Sequence, residues 1–269
     1  MRHAWLIIAH NEFDILQRLV SMLDDARSDF FVHIDAKVHE LPALKVERGR
    51  LFMMENRVDV RWGSVSQIEV ELALMETALQ HGPYDHYHIL SGTHLPLKPV
   101  TELLAFYDSH NGEEIMRYWP DDPGDADFKL RRYHFPLSHY KFGSPSRRRL
   151  CQLAWQVVIK IQKVLGIRHL EEHTFCKTDN WMSLSETGCR FLVTRKDRIL
   201  QKYRWSFCGD EYFAASEMKA SPTAFKIFDC PQLLYVEFQK DTPKTFTLAE
   251  YPQLQGTGYW WARKFTAQS

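Results

Sequence analysis

At 269 residues the chain suits one large domain or two small ones, and it is long enough to bury a substantial core. Apolar residues make up 45% and charged residues 25%, an ordinary globular balance, and a formal net charge of zero gives no sign of nucleic-acid binding. The five cysteines are odd in number, widely spaced and free of any C-x-x-C, which argues against a disulfide framework or zinc site and for a reducing compartment.

In chain order, "AWLIIAH" (4–10) is a short apolar run that reads as a buried strand. Residues 12–25 carry apolar side chains at 13, 16, 19, 20 and 23, which is helical spacing. "FFVHID" (30–35) and "LFMM" (51–54) read as strands. The clearest helix is 64–82, opening on a Ser64-x-x-Gln67 capping box and closing on Gly82. "YHILSG" (87–92) is a strand ended by Gly92, whose missing side chain would let a ligand approach, and 99–110 is a helix. Further on, 179–195 reads as strand then helix, and 209–218 as a helix start with acids in its first turn. "LLYVEF" (233–238) is a strand, and 247–269 a short helix, a glycine turn and a basic end.

Alternating strands and helices imply an α/β fold, a mostly parallel sheet flanked by helices. No repeat or linker breaks the chain, so a single domain over 1–269 is expected, with a nucleotide-binding half (1–110) and an acceptor-binding and catalytic half (111–269). Ligands of such sheets bind at the carboxyl ends of the strands, which singles out His10, Asp35 and the stretch from Ser91 to His94. The apolar run Ala4 to Ala9 is too short for a signal peptide, and no window approaches the roughly 20 apolar residues of a membrane span. The expectation is a soluble cytoplasmic protein, peripheral at most on the inner membrane face.

Residues 147–170 form an exception to the neutral balance. Phe128 to Leu170 holds ten Lys or Arg and no acid, and apolar residues recur at 150, 153, 154, 157, 158, 161, 164 and 165. This helical stripe opposite Arg, Lys and Gln is the pattern of an interfacial helix on an anionic membrane surface. The competing expectation packs the stripe on the domain and leaves the basic face in water.

The dinucleotide, P-loop and G-x-S-x-G signatures are absent. The single D-x-D, Asp125-Ala126-Asp127, sits in "PDDPGDADF" and reads as a solvated loop. His33 and Asp35 mark either a polar strand end or a hydrogen-bonding site for a nucleotide base or ribose. "WSFCGDEYFAAS" sets two acids, Asp210 and Glu211, side by side among aromatic and small residues.

The blocks "AWLIIAHNE", "FFVHIDAK", "RVDVRWGSVSQIEVELALMETAL", "YHILSGTHLPLKP", "DNWMSLSETG", "CGDEYF" and "WARKF" occur in an order that resembles glycosyltransferase family 14, which holds core-2/I-branching N-acetylglucosaminyltransferases, peptide O-xylosyltransferases and bacterial relatives. The resemblance implies a GT-A-like fold, a UDP-sugar donor, inversion at the anomeric carbon, and no cofactor or metal. It implies Glu211 as catalytic base, although Gly209 stands where proline is frequent, with Asp210 as its capping or orienting neighbour. Lys264, Arg263 and, on a looser match, Lys244 would stabilise the diphosphate. His10, Asp35, Gly63 and Ser64 would surround the nucleotide, and Ser91, Gly92 and His94 the donor sugar, with His94 replacing the usual aspartate. Glu114, Arg117, Trp119 and Arg132 fall in the acceptor region. The implied activity is transfer of GlcNAc, xylose or a similar sugar to a glycan or lipid-linked glycan in bacterial surface polysaccharide synthesis. Two alternatives stand beside it: a metal-dependent phosphohydrolase built on His10, His33, Asp35 and His94, and a non-catalytic nucleotide- or glycan-binding module.

Overall fold

Continuous apolar runs force the central strands into the interior. The computed structural model describes residues 1–135, 137, 140–141, 143–170, 174–240 and 242–268. Strands β1 (His3–Ala9) and β2 (Ser28–Ile34) are buried along their whole length, as strands covered on both faces must be. Helix α1 (Phe13–Leu23) buries Ile15, Leu16, Leu19, Val20 and Leu23 against them. Strand β3 (Arg50–Met53), helix α2 (Ser66–His81) and strand β4 (His86–Ser91) complete the parallel half.

The second half extends the same sheet. After β5 (Leu95–Pro96) and α3 (Val100–Ser109) come β6 (Glu114–Met116), α4 (Pro123–Lys129), α5 (Pro145–Leu165), β7 (Ser183–Ser185), α6 (Glu186–Val193), α7 (Lys196–Tyr203), a 3-10 turn at Gly209–Glu211, α8 (Phe213–Lys219) and β8 (Ile227–Asp229). Among the described residues the sheet has seven strands in the order β3-β2-β1-β4-β7-β6-β8. Strands β3, β2, β1 and β4 run parallel, whereas β7 is antiparallel to both β4 and β6. The tail adds β9 (Leu234–Tyr235), β10 (Phe238–Gln239), β11 (Thr242–Pro243), β12 (Phe246–Thr247), α9 (Tyr251–Gln255), β13 (Trp261–Ala262) and β14 (Phe265–Thr266). The strand expected over 233–238 is therefore split into β9 and β10.

Three local expectations are corrected. Helix α2 begins at Ser66, and the Ser64 hydroxyl donates to the Arg61 carbonyl at 3.0 Å, so the capping box does not form. A Cβ at Gly92 would lie 2.7 Å from the Ala9 Cβ, so glycine there lets β4 close on β1 and does not open a path for ligand. The D-x-D stretch is no loop: Pro123–Lys129 is helical, capped by the Asp122 carboxylate, which accepts from the Gly124 and Asp125 N–H groups.

Helix α5 departs from the expectation that its apolar stripe packs on the domain. Its packed face is Cys151, Trp155, Ile159 and Gln162, a line distinct from the predicted stripe, which turns outward. Trp155 and Ile159 join Leu137, Phe207 and Cys208 in a small second core, with Phe128 and Tyr140 against it. Of the acid-free run, positions 136, 138, 139 and 142 lie outside the described residues.

Glu114 is also corrected, because its carboxylate is interior and cannot meet an acceptor sugar. It accepts from the Ser185 N–H at 2.8 Å and the Ser185 hydroxyl at 2.5 Å, while Ser185 caps α6 by accepting from the Gly188 N–H. A Cβ at Gly188 would overlap that carboxylate. Gly188→Ala is expected to destabilise the fold by about 1–3 kcal/mol through overpacking, read as a lowered thermal midpoint. An unchanged midpoint would show that Glu114 moves aside without cost.

Candidate active site

Register brings the predicted strand ends together. Ala9 pairs with Ile34 and Ile8 with Ser91, so His10 and Asp35 leave the sheet on one edge. Asp35 is buried and accepts from the Lys37 N–H at 2.9 Å and the Lys37 ammonium at 2.7 Å. His10 is open to solvent, yet desolvation leads the causes that lower its pKa, and the Lys264 charge comes next. A solvent-touching ring crowded by protein is what the wall of an open cleft looks like.

The C-terminal tail reaches this wall because its backbone is stitched to it. Strand β13 lies between β5 and β9, and the Phe265 N–H donates to the Thr93 carbonyl at 3.0 Å. From the other side, the Glu12 carboxylate accepts from the Thr266 hydroxyl at 3.0 Å and the Ala267 N–H at 2.9 Å. Lys264 is thereby held beside His10. Burial pushes its ammonium down to about 8, with the Arg263 charge second. Arg263 is lowered to about 10 by burial, against the opposing charges of Asp179 and Asp210. Its guanidinium lies 4.8 Å from the Trp181 ring centroid. Both side chains keep some solvent contact, so they are desolvated without being sealed in.

Glu211 lies at the far end of the same chain of charges. Asp210 interacts with both Glu211 and Arg263, Arg263 with Lys264, and Lys264 with His10. Burial, then the Glu211 charge, pushes the Asp210 carboxyl up, and its Oδ1 has no hydrogen-bond partner. Asp210 thus points inward toward Arg263 and the buried Glu71 of α2 and does not cap a surface helix. The turn that separates the two acids starts from Cys208 at φ 50, a left-handed conformation costing a non-glycine residue about 1–3 kcal/mol. The Cys208 N–H donates to the Gly63 carbonyl at 2.9 Å, and Gly63 itself has φ 76 with the Phe207 ring 2.7 Å from where a Cβ would sit. Gly63 therefore shapes the turn that presents Glu211.

Sequence reasoning missed what surrounds Glu211. The Lys129 ammonium donates to it at 2.7 Å, and Lys177 stands 3.6 Å away. Asp125, the supposed loop acid, accepts from Lys177 at 2.7 Å and from the Tyr212 hydroxyl at 2.5 Å. Desolvation is the largest single influence on Lys129 and opposes its charge, but Glu211, Cys208 and Asp125 together hold the ammonium above the usual lysine range. The Glu211 side chain is 31% exposed against 21% for Asp125, so Glu211 is the carboxylate an incoming group meets. The i,i+4 spacing of Asp125 and Lys129 was the one available signal, and it required α4 to be seen as a helix.

Arg117 and Trp119 converge on Asp179 next to Arg263. Arg117 pairs with Asp179 at 2.6 Å, the Trp119 indole donates to it at 2.9 Å, and the guanidinium lies 4.8 Å from the Trp119 ring centroid. Three other predicted residues have side chains committed to protein partners. Arg132 binds the Ile167 carbonyl at 2.7 Å and Asp127 at 3.1 Å, securing the end of α5. Lys244 lies beside Lys264, its carbonyl accepting from the Lys264 N–H at 3.4 Å, but its ammonium turns to Glu250 at 3.0 Å and Glu237 at 3.5 Å. His94 is wholly buried behind Arg263, bonded to the Ser91 hydroxyl at 2.7 Å, and lines an internal void of about 10 Å³, too small for a sugar. His33 is interior too, its Nε2 accepting from the Val58 N–H at 2.8 Å. Among the described residues no three His, Cys, Asp or Glu side chains converge as metal ligands, so the predicted phosphohydrolase cluster of His10, His33, Asp35 and His94 does not assemble.

The model of a family described as Branch, the core-2/I-branching enzymes, matches residues 3–221. No curated protein matches the chain in sequence. Among solved structures, mouse xyloside xylosyltransferase 1 in its apo form is 12% identical, with 97% of this chain and 96% of that one covered at a TM-score of 0.39. Staphylococcus aureus TarS 1-349 is 10% identical over 74% of this chain and 66% of that one, at a TM-score of 0.30. The family match takes in His10, Asp35 and Glu211 and stops short of Arg263 and Lys264. Resting on that match across most of its length, the chain belongs to the core-2/I-branching enzyme family and is a glycosyltransferase.

Proposed function

We propose that the chain moves a sugar, GlcNAc, xylose or a similar residue, from a UDP donor to a glycan hydroxyl in one inverting displacement. The acceptor oxygen attacks the anomeric carbon, its proton passes to the Glu211 carboxylate, and the bond to the diphosphate oxygen breaks with its electrons leaving on UDP. One observation supports this reading: Glu211 is solvent-accessible, its neighbour Asp210 is felt by Arg263, and Arg263 and Lys264 are both desolvated cations, Lys264 acting on His10 at the carboxyl end of β1. Cations there act on charge that develops on the leaving diphosphate, the role a divalent ion fills in metal-dependent transferases. On this reading no metal is required.

His10 and Asp35 would border the nucleotide, with Gly63 and Ser64 beside it. Arg117 and Trp119 would face the acceptor, the indole stacking on a sugar ring. A lipid-linked glycan of a bacterial surface polysaccharide is the acceptor class we favour. Lys129 holds the Glu211 carboxylate in position, and arrival of the proton on that carboxylate breaks the ion pair.

Glu211→Gln is expected to keep UDP binding within about twofold and to lower transfer by 100-fold or more, the low end for a lost general base. Transfer within tenfold of wild type would remove Glu211 from the role. Lys264 gives a pH test. Its charge is present below about 8 and lost above it. UDP affinity measured by calorimetry should therefore fall as pH rises through that value, approaching tenfold per unit, and Lys264→Arg should flatten the dependence. A wild-type affinity that stays level across this range would show that Lys264 does not hold the diphosphate.

A further inference from the structure

The outward face of α5 is built differently from the rest of the surface. Leu150, Leu153, Val157, Ile161, Val164 and Leu165 are between 50% and 85% exposed. Their spacing follows one side of the helix, opposite the face that Trp155 and Ile159 pack. At about 100° per residue, Arg149 and Lys160 border the stripe on one side and Arg147 on the other. All three are exposed. The helix runs 21 residues, about 30 Å, so the apolar strip is long and narrow with cationic margins. An apolar strip of this kind on a monomer marks a surface that something covers.

We propose that this face of α5 docks on an anionic lipid bilayer, lying in the interface parallel to the membrane plane. Charge decides between a bilayer and a second copy of the chain. From Phe128 to Leu170 the sequence contains no acidic residue. Two copies of α5 packed stripe to stripe would set arginine and lysine margins against each other, with none of the opposite charges that pair helices. A sheet of anionic headgroups meets the same margins with attraction, while the leucines, valines and isoleucine enter the boundary with the acyl chains. Spanning is excluded for α5: among the described residues no helix is long and apolar enough to cross a membrane.

The geometry also says why docking there would serve the enzyme. The inner face of the same helix packs on Phe207 and Cys208, which lead directly into Asp210 and Glu211, and on Phe128 beside Lys129. A bilayer on the outer face would lie about one helix diameter, 10–12 Å, from the loop that carries Glu211. The docking surface does not depend on which donor or acceptor the site uses.

Vesicle flotation of the full chain tests the proposal. The protein is expected to float with phosphatidylethanolamine/phosphatidylglycerol vesicles at low salt, to be largely released at high salt, and to stay with the soluble fraction on phosphatidylcholine alone. Leu153→Asp/Val157→Asp and Arg149→Glu/Lys160→Glu should each weaken binding tenfold or more, at roughly fivefold per basic residue for the second pair. Both should keep the wild-type thermal midpoint, since neither pair touches the packed face. Wild type that remains soluble with the anionic vesicles, or that binds neutral ones equally, overturns the proposal. So does a dimer by light scattering that Leu153→Asp/Val157→Asp dissolves while vesicle binding is absent, which would assign the stripe to a second copy.

Discussion

Two positive charges set side by side repel each other and lose solvation, and the residues around them are organised around that cost. Arg263 and Lys264 are neighbours in sequence and both are desolvated. A protein that desolvates cations must supply anions or lose the charge. Asp210 and Asp179 offset Arg263 from two directions, while Lys264 has His10 and Lys141 near it, a neutral-leaning imidazole and another cation. Lys264 is consequently the least compensated charge of the group. An anion arriving between His10 and Lys264 would relieve that imbalance, and this is the physical basis for the proposed diphosphate contact.

Around Glu211 the charges are balanced. Two lysines are shared by two carboxylates: Lys129 contacts Glu211 and Asp125, Lys177 is held mainly by Asp125, and the Tyr212 hydroxyl orders that second acid. Such a network fixes the carboxylate in place while leaving it open to solvent. Asp210, one residue away, is turned inward toward Glu71 and Arg263. The left-handed Cys208 makes this division possible by rotating adjacent side chains into different environments. Two acids that look equivalent in sequence thereby take different environments, one exposed beside Lys129 and one buried toward Arg263.

The sheet was legible because burial on both faces leaves a strong signal. The runs ending at His10, Asp35 and Ser91 have little polar interruption, and each lies within a residue or two of an observed strand. Short strands held by long-range pairing left almost none, and β6 and β13 are defined by their partners alone. For the site, Glu211, Lys264 and Arg263 came from a resemblance in block order, and the structure sets them along one connected line of charge. What could not be read was the direction of a side chain. Glu114, Arg132 and His94 are polar residues in plausible segments, and all three turn toward the interior to satisfy Ser185, Ile167 and Ser91. Conversely, Asp125 looked solvated because its helix is short and capped by another aspartate, and the partner that gives it meaning, Lys177, is distant in sequence.

Helix α5 shows the same limit and how structure resolves it. Periodicity alone finds apolar residues over much of the helix surface, and a stripe chosen from it is the one with more members, not the one that packs. The packed line is shorter and carries the bulkier anchor, Trp155, whose indole donates to His134 at 3.0 Å and whose ring lies 5.7 Å from that of Phe207. That one tryptophan fixes the rotation of the helix about its axis. Once it is fixed, the leucine and valine side chains have nowhere to face except outward, with the arginines and lysines at their margins. The apolar exposure of α5 is thus a consequence of how the catalytic loop is buttressed: the residue that supports Phe207 from behind also determines what the helix presents to its surroundings.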